Sequence, residues 1–196
     1  MLIECTDAPC AAAVAMTQDL LQRGLRDAAV LLTRSERERA ASLRQPEARA
    51  DFIASHALVR HVAAALAGVE PARLTLVQQC RHCGGAHGPP RLAELPHLRV
   101  SLSHAGGIVA AAASWWPVGI DLQRRDDEWR LAELSIKPQQ WLRHECLVKL
   151  GLAEVDDPPA HDLPRGWIET EWVDASMGAR ASVLSRRAVR FLGVEA

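Results

Sequence analysis

Pro46 and Gly68 bracket the longest periodic segment of the chain, and this segment constrains the fold more than any other. Proline is tolerated in the first turn of a helix, and glycine stops one. Between them Phe52, Val59, Val62 and Leu66 recur at spacings of seven, three and four. That spacing predicts a helix over 47–68 with a single apolar stripe, which must be covered by another layer of structure.

Two further helices are predicted. Residues 35–43 follow Thr33, a residue type that caps helix N-termini, and are loaded with Glu and Arg. Residues 138–150 open on Pro138, stop at Gly151, and carry Trp141, Val148 and either Glu145 or Cys146 around the axis. Residues 11–25, rich in Ala and Leu, are also expected to pack as a helix. Strands are expected over 74–79 and 98–103, where Leu98, Val100 and Leu102 alternate with Arg99, Ser101 and Ser103. Gly106-Gly107 then turns the chain into 108–114 as a hairpin, and Pro117 opens a third strand over 118–123. Residues 167–173 and 179–184 form another strand pair around Gly178. The sum is α+β, with antiparallel sheets and helices packed to one side.

Composition narrows the class. The 196 residues are 48% hydrophobic and 24% charged, with a net charge of −1. That is the balance of a globular protein able to bury a core, with no polybasic field for nucleic acid or a membrane surface. No run approaches a membrane span, and the Ala-rich start lacks a basic flank, so a cytoplasmic monomer is expected. Five cysteines argue against a secreted disulfide framework and for reduced thiols. Residues 23–60 hold eight Arg against five acids, whereas 154–174 hold seven acids and one Arg. A polyanionic ligand is therefore expected to meet the first half.

The chemistry-bearing residues gather around the hairpin and two segments after it. His104 beside the Gly106-Gly107 turn is expected to be exposed and close to backbone N–H groups, as an anion site requires. The plainer reading is a residue decorating a turn. Asp121 interrupts the apolar strand Val118-Gly119-Ile120-Asp121-Leu122, where an acid is costly unless it is paired or holds a cation. Glu145 and Lys149 lie four apart on one helix face, the spacing of an ordinary solvated ion pair. Lys149, however, is one of only two lysines in a chain whose other 21 basic side chains are arginine.

Val118-Gly119-Ile120-Asp121 followed by Trp141-x-x-x-Glu145-x-x-x-Lys149 resembles the signature of the surfactin-type 4'-phosphopantetheinyl transferases. Upstream, Phe52 with Ala57-Leu58-Val59-Arg60, Cys80-x-x-Cys83-Gly84 with His87-Gly88-x-Pro90, and Leu102-Ser103-His104-x-Gly106-Gly107 follow in the family's order. The closing stretch 169–184 is similar to the family's last strands. The resemblance spans roughly residues 30–190.

The resemblance implies two similar α+β halves with coenzyme A bound between them, divided here as 1–115 (the CoA 3'-phosphate side) and 116–196 (the metal and catalytic-helix side). It implies transfer of the phosphopantetheine arm of CoA to a serine of an apo acyl or peptidyl carrier protein of secondary metabolism or fatty-acid synthesis. The by-product would be 3',5'-adenosine bisphosphate. Asp121, Gln123 and Glu145 would hold Mg²⁺ against the pyrophosphate, and Glu145 would also be the base for the incoming serine. Ser103, His104 and Lys149 would contact phosphate oxygens, and Arg39 would grip the 3'-phosphate.

The chain departs from the family pattern at several positions. Gln123 replaces an acid, His144 a lysine, Pro89 the lysine of Gly-Lys-Pro, and Asp51 an arginine, although Arg49 is near. Only 23 residues separate Asp121 from Glu145, a shortened spacer that in the family carries part of the carrier-docking surface. The alternative is a diverged relative that binds CoA or a carrier without transfer. Cys80, Cys83 and His87 also allow a zinc site completed by Cys5, Cys10 or His82, against a solvent-facing loop. Trp115-Trp116 is expected to cover the junction between halves, with a carrier-binding patch as the alternative.

Overall fold

A computed structural model describes residues 7–24, 28–79, 84–85, 88–159 and 162–194. Cys80, Cys83 and His87 lie outside the described residues.

The chain begins with β1 (Cys10–Met16), a helical turn α1 (Thr17–Asp19) with a π-turn after it, and a short α2 (Ala28–Leu31). Then come α3 (Arg34–Ser42), the long α4 (Pro46–Ala67), and four strands: β2 (Leu76–Gln78), β3 (Pro90–Leu92), β4 (Arg99–Ala105) and β5 (Ile108–Ser114). The remainder is β6 (Val118–Arg124), α5 (Glu128–Glu133), α6 (Pro138–Leu150), β7 (Ile168–Asp174), β8 (Ala179–Ser185) and β9 (Val189–Phe191). The architecture is α+β.

Six strands form one sheet in the order β2-β3-β4-β5-β1-β9, and three form a second in the order β6-β8-β7. Pairing is antiparallel except between β1 and β9, which run parallel. Residues 189–191 thus return to the sheet built by residues 10–114.

The expected helix over 11–25 is corrected. Cys10–Met16 is a central strand paired with β5 along its whole length, Cys10 opposite Ser114 and Met16 opposite Ile108. Alanine favours helix in isolation, but tertiary context overrides so weak a preference. Here the run CAAAVAM has no polar face to leave in water, and both its faces are covered. Ala11, Ala13 and Ala15 share a core with Ala54, Leu58, Val62 and Leu66 of α4. Cys10, Ala12 and Val14 share another with Ile120, Leu122, Ala181 and Val183 of the second sheet. The Ala-rich β5 is sandwiched in the same way, and its small side chains let helix and sheet approach closely from opposite sides.

Pro46 stands in the first turn of α4, and Gly68 ends it with a left-handed φ of 67°. Phe52, Val59, Val62 and Leu66 are all buried, but so are polar residues on other faces of the helix. The single stripe therefore understated how deeply α4 is embedded. Thr33 caps α3 in a reciprocal capping box with Glu36. Both α6 boundaries match the expectation, with Gly151 at φ 69°.

One contact fixes how closely α6 lies on the second sheet. A Cβ at position 119 would stand 2.8 Å from the Cys146 carbonyl oxygen, so only glycine lets the helix backbone approach β6 so closely. Because side chains alternate along a strand, Asp121 and Gln123 share that helix-facing side with Gly119, while Val118, Ile120 and Leu122 join the core between the sheets.

Candidate active site

Asp121 is the centre of the site. Its side chain is buried, and it accepts hydrogen bonds from the Ser103 hydroxyl at 2.8 Å and from Lys149 Nζ at 2.6 Å, both on Oδ1. Lys149 also donates to the Ile120 carbonyl at 2.8 Å and the Leu102 carbonyl at 3.3 Å. Three donors on one ammonium thus meet three acceptors on β4 and β6. One step along, the Ser101 hydroxyl accepts the Ile120 N–H at 3.1 Å, so two serines of β4 stitch that strand to β6.

The cost of placing an acid in an apolar strand is therefore met by Lys149 and Ser103. The solvated Glu145–Lys149 pair suggested by the i,i+4 spacing is not formed, because Lys149 reaches across to Asp121 instead. Glu145, one turn earlier on α6, is half-buried. Its carboxyl is held above the ordinary carboxylate range, first by burial and then by the charge of Asp121, with Lys149 and His144 opposing. Two carboxylates that feel each other's charge are an arrangement that a cation relieves.

Gln123 adds the third element. Its Oε1 is buried and has no hydrogen-bond partner. A buried acceptor without a donor is costly, and a hard cation that takes oxygen ligands would satisfy it. Among the described residues no cluster of three His, Cys, Asp or Glu side chains could hold a metal, so the candidate set here is two carboxylates and one amide oxygen. That set fits Mg²⁺, which is commonly bound by one or two carboxylates together with substrate phosphates and water.

His104 is exposed at the end of β4, immediately before the turn. The turn is pinned from three sides. Asp51 Oδ2 accepts the Gly107 N–H at 3.1 Å, Thr17 N–H donates to the Gly107 carbonyl at 2.8 Å, and Arg124 donates to the Gly106 carbonyl at 2.8 Å. Gly106 and Gly107 both have positive φ, 50° and 86°. His104 therefore stands in a strand that leads directly into a hydrogen-bonded turn.

Several positions read from sequence as departures have structural employment. Asp51 is buried on α4 and, besides Gly107, accepts the Thr17 hydroxyl at 2.5 Å. It is an internal tie rather than a vacated cation position facing a ligand. Arg49 donates to the Ala40 and Leu43 carbonyls at the end of α3. His144 is buried, and neither ring nitrogen is hydrogen-bonded. Trp116 lies beneath the Arg187 guanidinium, whereas Trp115 is exposed.

Arg39 stands apart from the Asp121 cluster. Its guanidinium lies 5.4 Å from the centroid of Phe52, and it lines a small cavity of about 160 Å³ with Thr33, Phe52, His56 and Gln78. Gln78 also lines a second cavity, of about 330 Å³, bounded by Leu102, Val118, Val148 and Lys149. Gln78 of β2 is thus common to the walls of the two cavities.

A buried network beneath Arg39 was not read from the sequence. Glu36 Oε1 is 2.7 Å from His56 Nδ1, and its Oε2 accepts from Arg60 at 2.6 Å and from the Thr33 N–H at 2.7 Å. Burial raises the Glu36 pKa, but the His56 and Arg60 bonds outweigh it and bring the group down to about 2. The signal available in the sequence was the Thr33-x-x-Glu36 capping box, which places a carboxylate at the start of α3.

No family model matches the chain, and no curated protein matches it. Among the described residues no helix is long and apolar enough to cross a membrane.

Proposed function

We propose that the chain is a Mg²⁺-dependent 4'-phosphopantetheinyl transferase acting on an apo carrier protein. The observation that carries this reading is the grouping of Asp121, Ser103 and Lys149 with Glu145, whose carboxyl feels the charge of Asp121, and with the unsatisfied Gln123 oxygen on the same side of β6. The two layered units, α4 on the larger sheet and α6 on the smaller, suit a ligand held between halves of the kind the resemblance implies.

On this reading the CoA 3'-phosphate lies toward Arg39 and its pyrophosphate toward Ser103, His104 and Lys149. The carrier serine oxygen attacks the phosphorus that bears pantetheine. The bond from that phosphorus to the adenosine bisphosphate breaks, and the electron pair leaves with 3',5'-adenosine bisphosphate. The serine proton passes to Glu145, whose raised pKa makes it a stronger base than an ordinary carboxylate. Bound Mg²⁺ would neutralise charge on the leaving group. Lys149, with its three donors engaged by Asp121, Ile120 and Leu102, would act on the phosphate oxygens through its charge.

The Lys149–Asp121 ion pair gives a second reading some support. It already neutralises the central acid, as in a relative that binds CoA or a carrier without transfer. Incubation with CoA, Mg²⁺ and a panel of apo-carriers decides between the two. Transfer adds the mass of the arm to a carrier and releases 3',5'-adenosine bisphosphate. CoA binding with no mass gain on any carrier overturns the enzymatic reading.

A further inference from the structure

Arg91 on β3 and Arg99 on β4 are direct cross-strand partners. Like charges placed opposite each other on a sheet destabilise the pairing, and such a pair is ordinarily relieved by a neighbouring acid. Among the described residues no acid pairs with either arginine. Both side chains are exposed, and among the described residues neither forms a hydrogen bond or an ion pair.

The two arginines line a groove of about 550 Å³ between strands β3 and β4 and the C-terminal end of α6. Lys149 lines it too, and among the described residues no acidic side chain does. The other walls are largely apolar, with Leu98, Val118 and Val148 among them. A concave site of this size, with apolar walls and a few charged groups, suits a small ligand better than a flat protein surface does. Arginine, with its planar fork of donors, is the residue that reads phosphate oxygens two at a time.

A structural role at the end of α6 does not account for the pair. The last carbonyls of that helix are met by backbone donors, Gly151 N–H to Val148 and Leu152 N–H to Leu147, both at 2.9 Å.

We propose that Arg91 and Arg99 form a diphosphate clamp in this groove, to which Lys149, its three donors already engaged, adds charge and no hydrogen bond. The ligand class is a pyrophosphate-bearing molecule with an apolar or nucleoside portion. For CoA this rests on the reading given above, and it adds a metal-independent hold on the diphosphate where Gln123 has replaced an acid. Arginine at 91 and 99 would then sustain affinity that a weakly held cation alone would not.

Titration calorimetry in EDTA, with inorganic pyrophosphate and separately with CoA, tests the clamp on the wild-type chain and on R91Q, R99Q and the double variant. The expected result is measurable pyrophosphate binding that weakens about tenfold in each single variant and further in the double. Removing opposed like charges should leave Tm unchanged or raised, whereas a fall in Tm would mean that the arginines serve the fold. Wild-type affinity in the double variant, or no pyrophosphate binding at all, overturns the proposal. Arginine-dependent pyrophosphate binding in a chain that transfers nothing to any carrier would leave the clamp standing and remove the transferase reading. Normal transfer with an unchanged KM for CoA in the double variant would do the reverse.

Discussion

Lys149 Nζ stands 2.6 Å from Asp121 Oδ1 and shares its other two donors between the Leu102 and Ile120 carbonyls. One ammonium on α6 therefore binds a strand of each sheet and the acid at the centre of the site. This makes Lys149 structural before any ligand arrives. Its replacement should be felt in stability as well as in activity.

Lys149→Ala is expected to lower stability by about 2 kcal/mol, since a hydrogen-bonded carboxylate is left in a largely buried position without its cation. Lys149→Arg should not restore it, because a planar fork cannot set three donors on three acceptors arranged around a compact ammonium. Urea unfolding of the two variants checks this. A loss of less than about 0.5 kcal/mol in both, the range of a surface pair, would contradict it.

Acid sensitivity follows from the network under Arg39. Glu36 titrates near its ordinary 4.5 in the unfolded chain and about 2 in the fold. Its contribution is present above 4.5 and is lost as pH falls toward 2. Burial lowers His56 below its ordinary 6.5 despite the opposing Glu36 bond, so unfolding lets it take a proton and stability also falls as pH drops below 6.5. Burial likewise brings His61 to about 4, adding a loss between 6.5 and 4. Tm should therefore decline on acidification from pH 7, and Glu36→Gln should be less stable at pH 7 but show a flatter decline below 4.5. A flat Tm from pH 7 to 4 would be inconsistent with these three groups.

The strong local signals in the sequence were the legible ones. Pro46, Gly68, Pro138 and Gly151 fixed the two principal helices because capping chemistry acts within a few residues. The Gly106-Gly107 turn fixed the hairpin in the same way. What failed was Cys10–Met16, where a run of alanines gives no period to distinguish a strand buried on both faces from a helix. Short β9, β3 and α5 were not anticipated either, since three to six residues carry too little pattern. At the site, Asp121 and Lys149 stood out as an acid in an apolar strand and a rare lysine. Their pairing across 28 positions could not be seen from spacing. The role of Asp51 was hidden for the same reason, its partners being Thr17 and Gly107.

Asp51→Arg, which introduces the residue type expected at this point of the pattern the sequence resembles, should harm the protein rather than improve CoA binding. The change removes the acceptor of the Gly107 N–H and the Thr17 hydroxyl and buries an unmatched cation beside the turn. A cost of at least about 2 kcal/mol is expected from the lost acceptor alone. Asp51→Asn, which keeps an oxygen, should lose less. Melting curves with calorimetry against CoA would settle the point, and a stable Asp51→Arg protein with tighter CoA binding would refute it.

Gln123→Glu tests the amide oxygen as a cation ligand. A third carboxylate beside Asp121 and Glu145 adds repulsion in a partly buried place, so without metal the variant should melt below the wild type. With Mg²⁺ that repulsion becomes ligation. Tm should then rise with Mg²⁺ more steeply than in the wild type, and transfer should reach half-maximum at a lower Mg²⁺ concentration. An unchanged requirement together with a Tm indifferent to Mg²⁺ would remove position 123 from the site.

Glu145→Gln separates a base from a bystander. The amide is the same size and still offers an oxygen, but it cannot accept a proton at neutral pH. On the proposed mechanism turnover falls by roughly 10²–10⁴, the range of general-base losses. Affinity for CoA with Mg²⁺ should fall far less, because Asp121, Ser103 and Lys149 are untouched. Stability should rise slightly if it changes at all, because a half-buried carboxylate held above its ordinary range by burial and by the charge of Asp121 is unfavourably ionised in the fold. The pH profile gives an independent reading: wild-type transfer should rise through a pKa above the ordinary carboxylate range, and that limb should vanish in the variant. Normal transfer by the Glu145→Gln protein, with the limb intact, would show that the proton goes elsewhere.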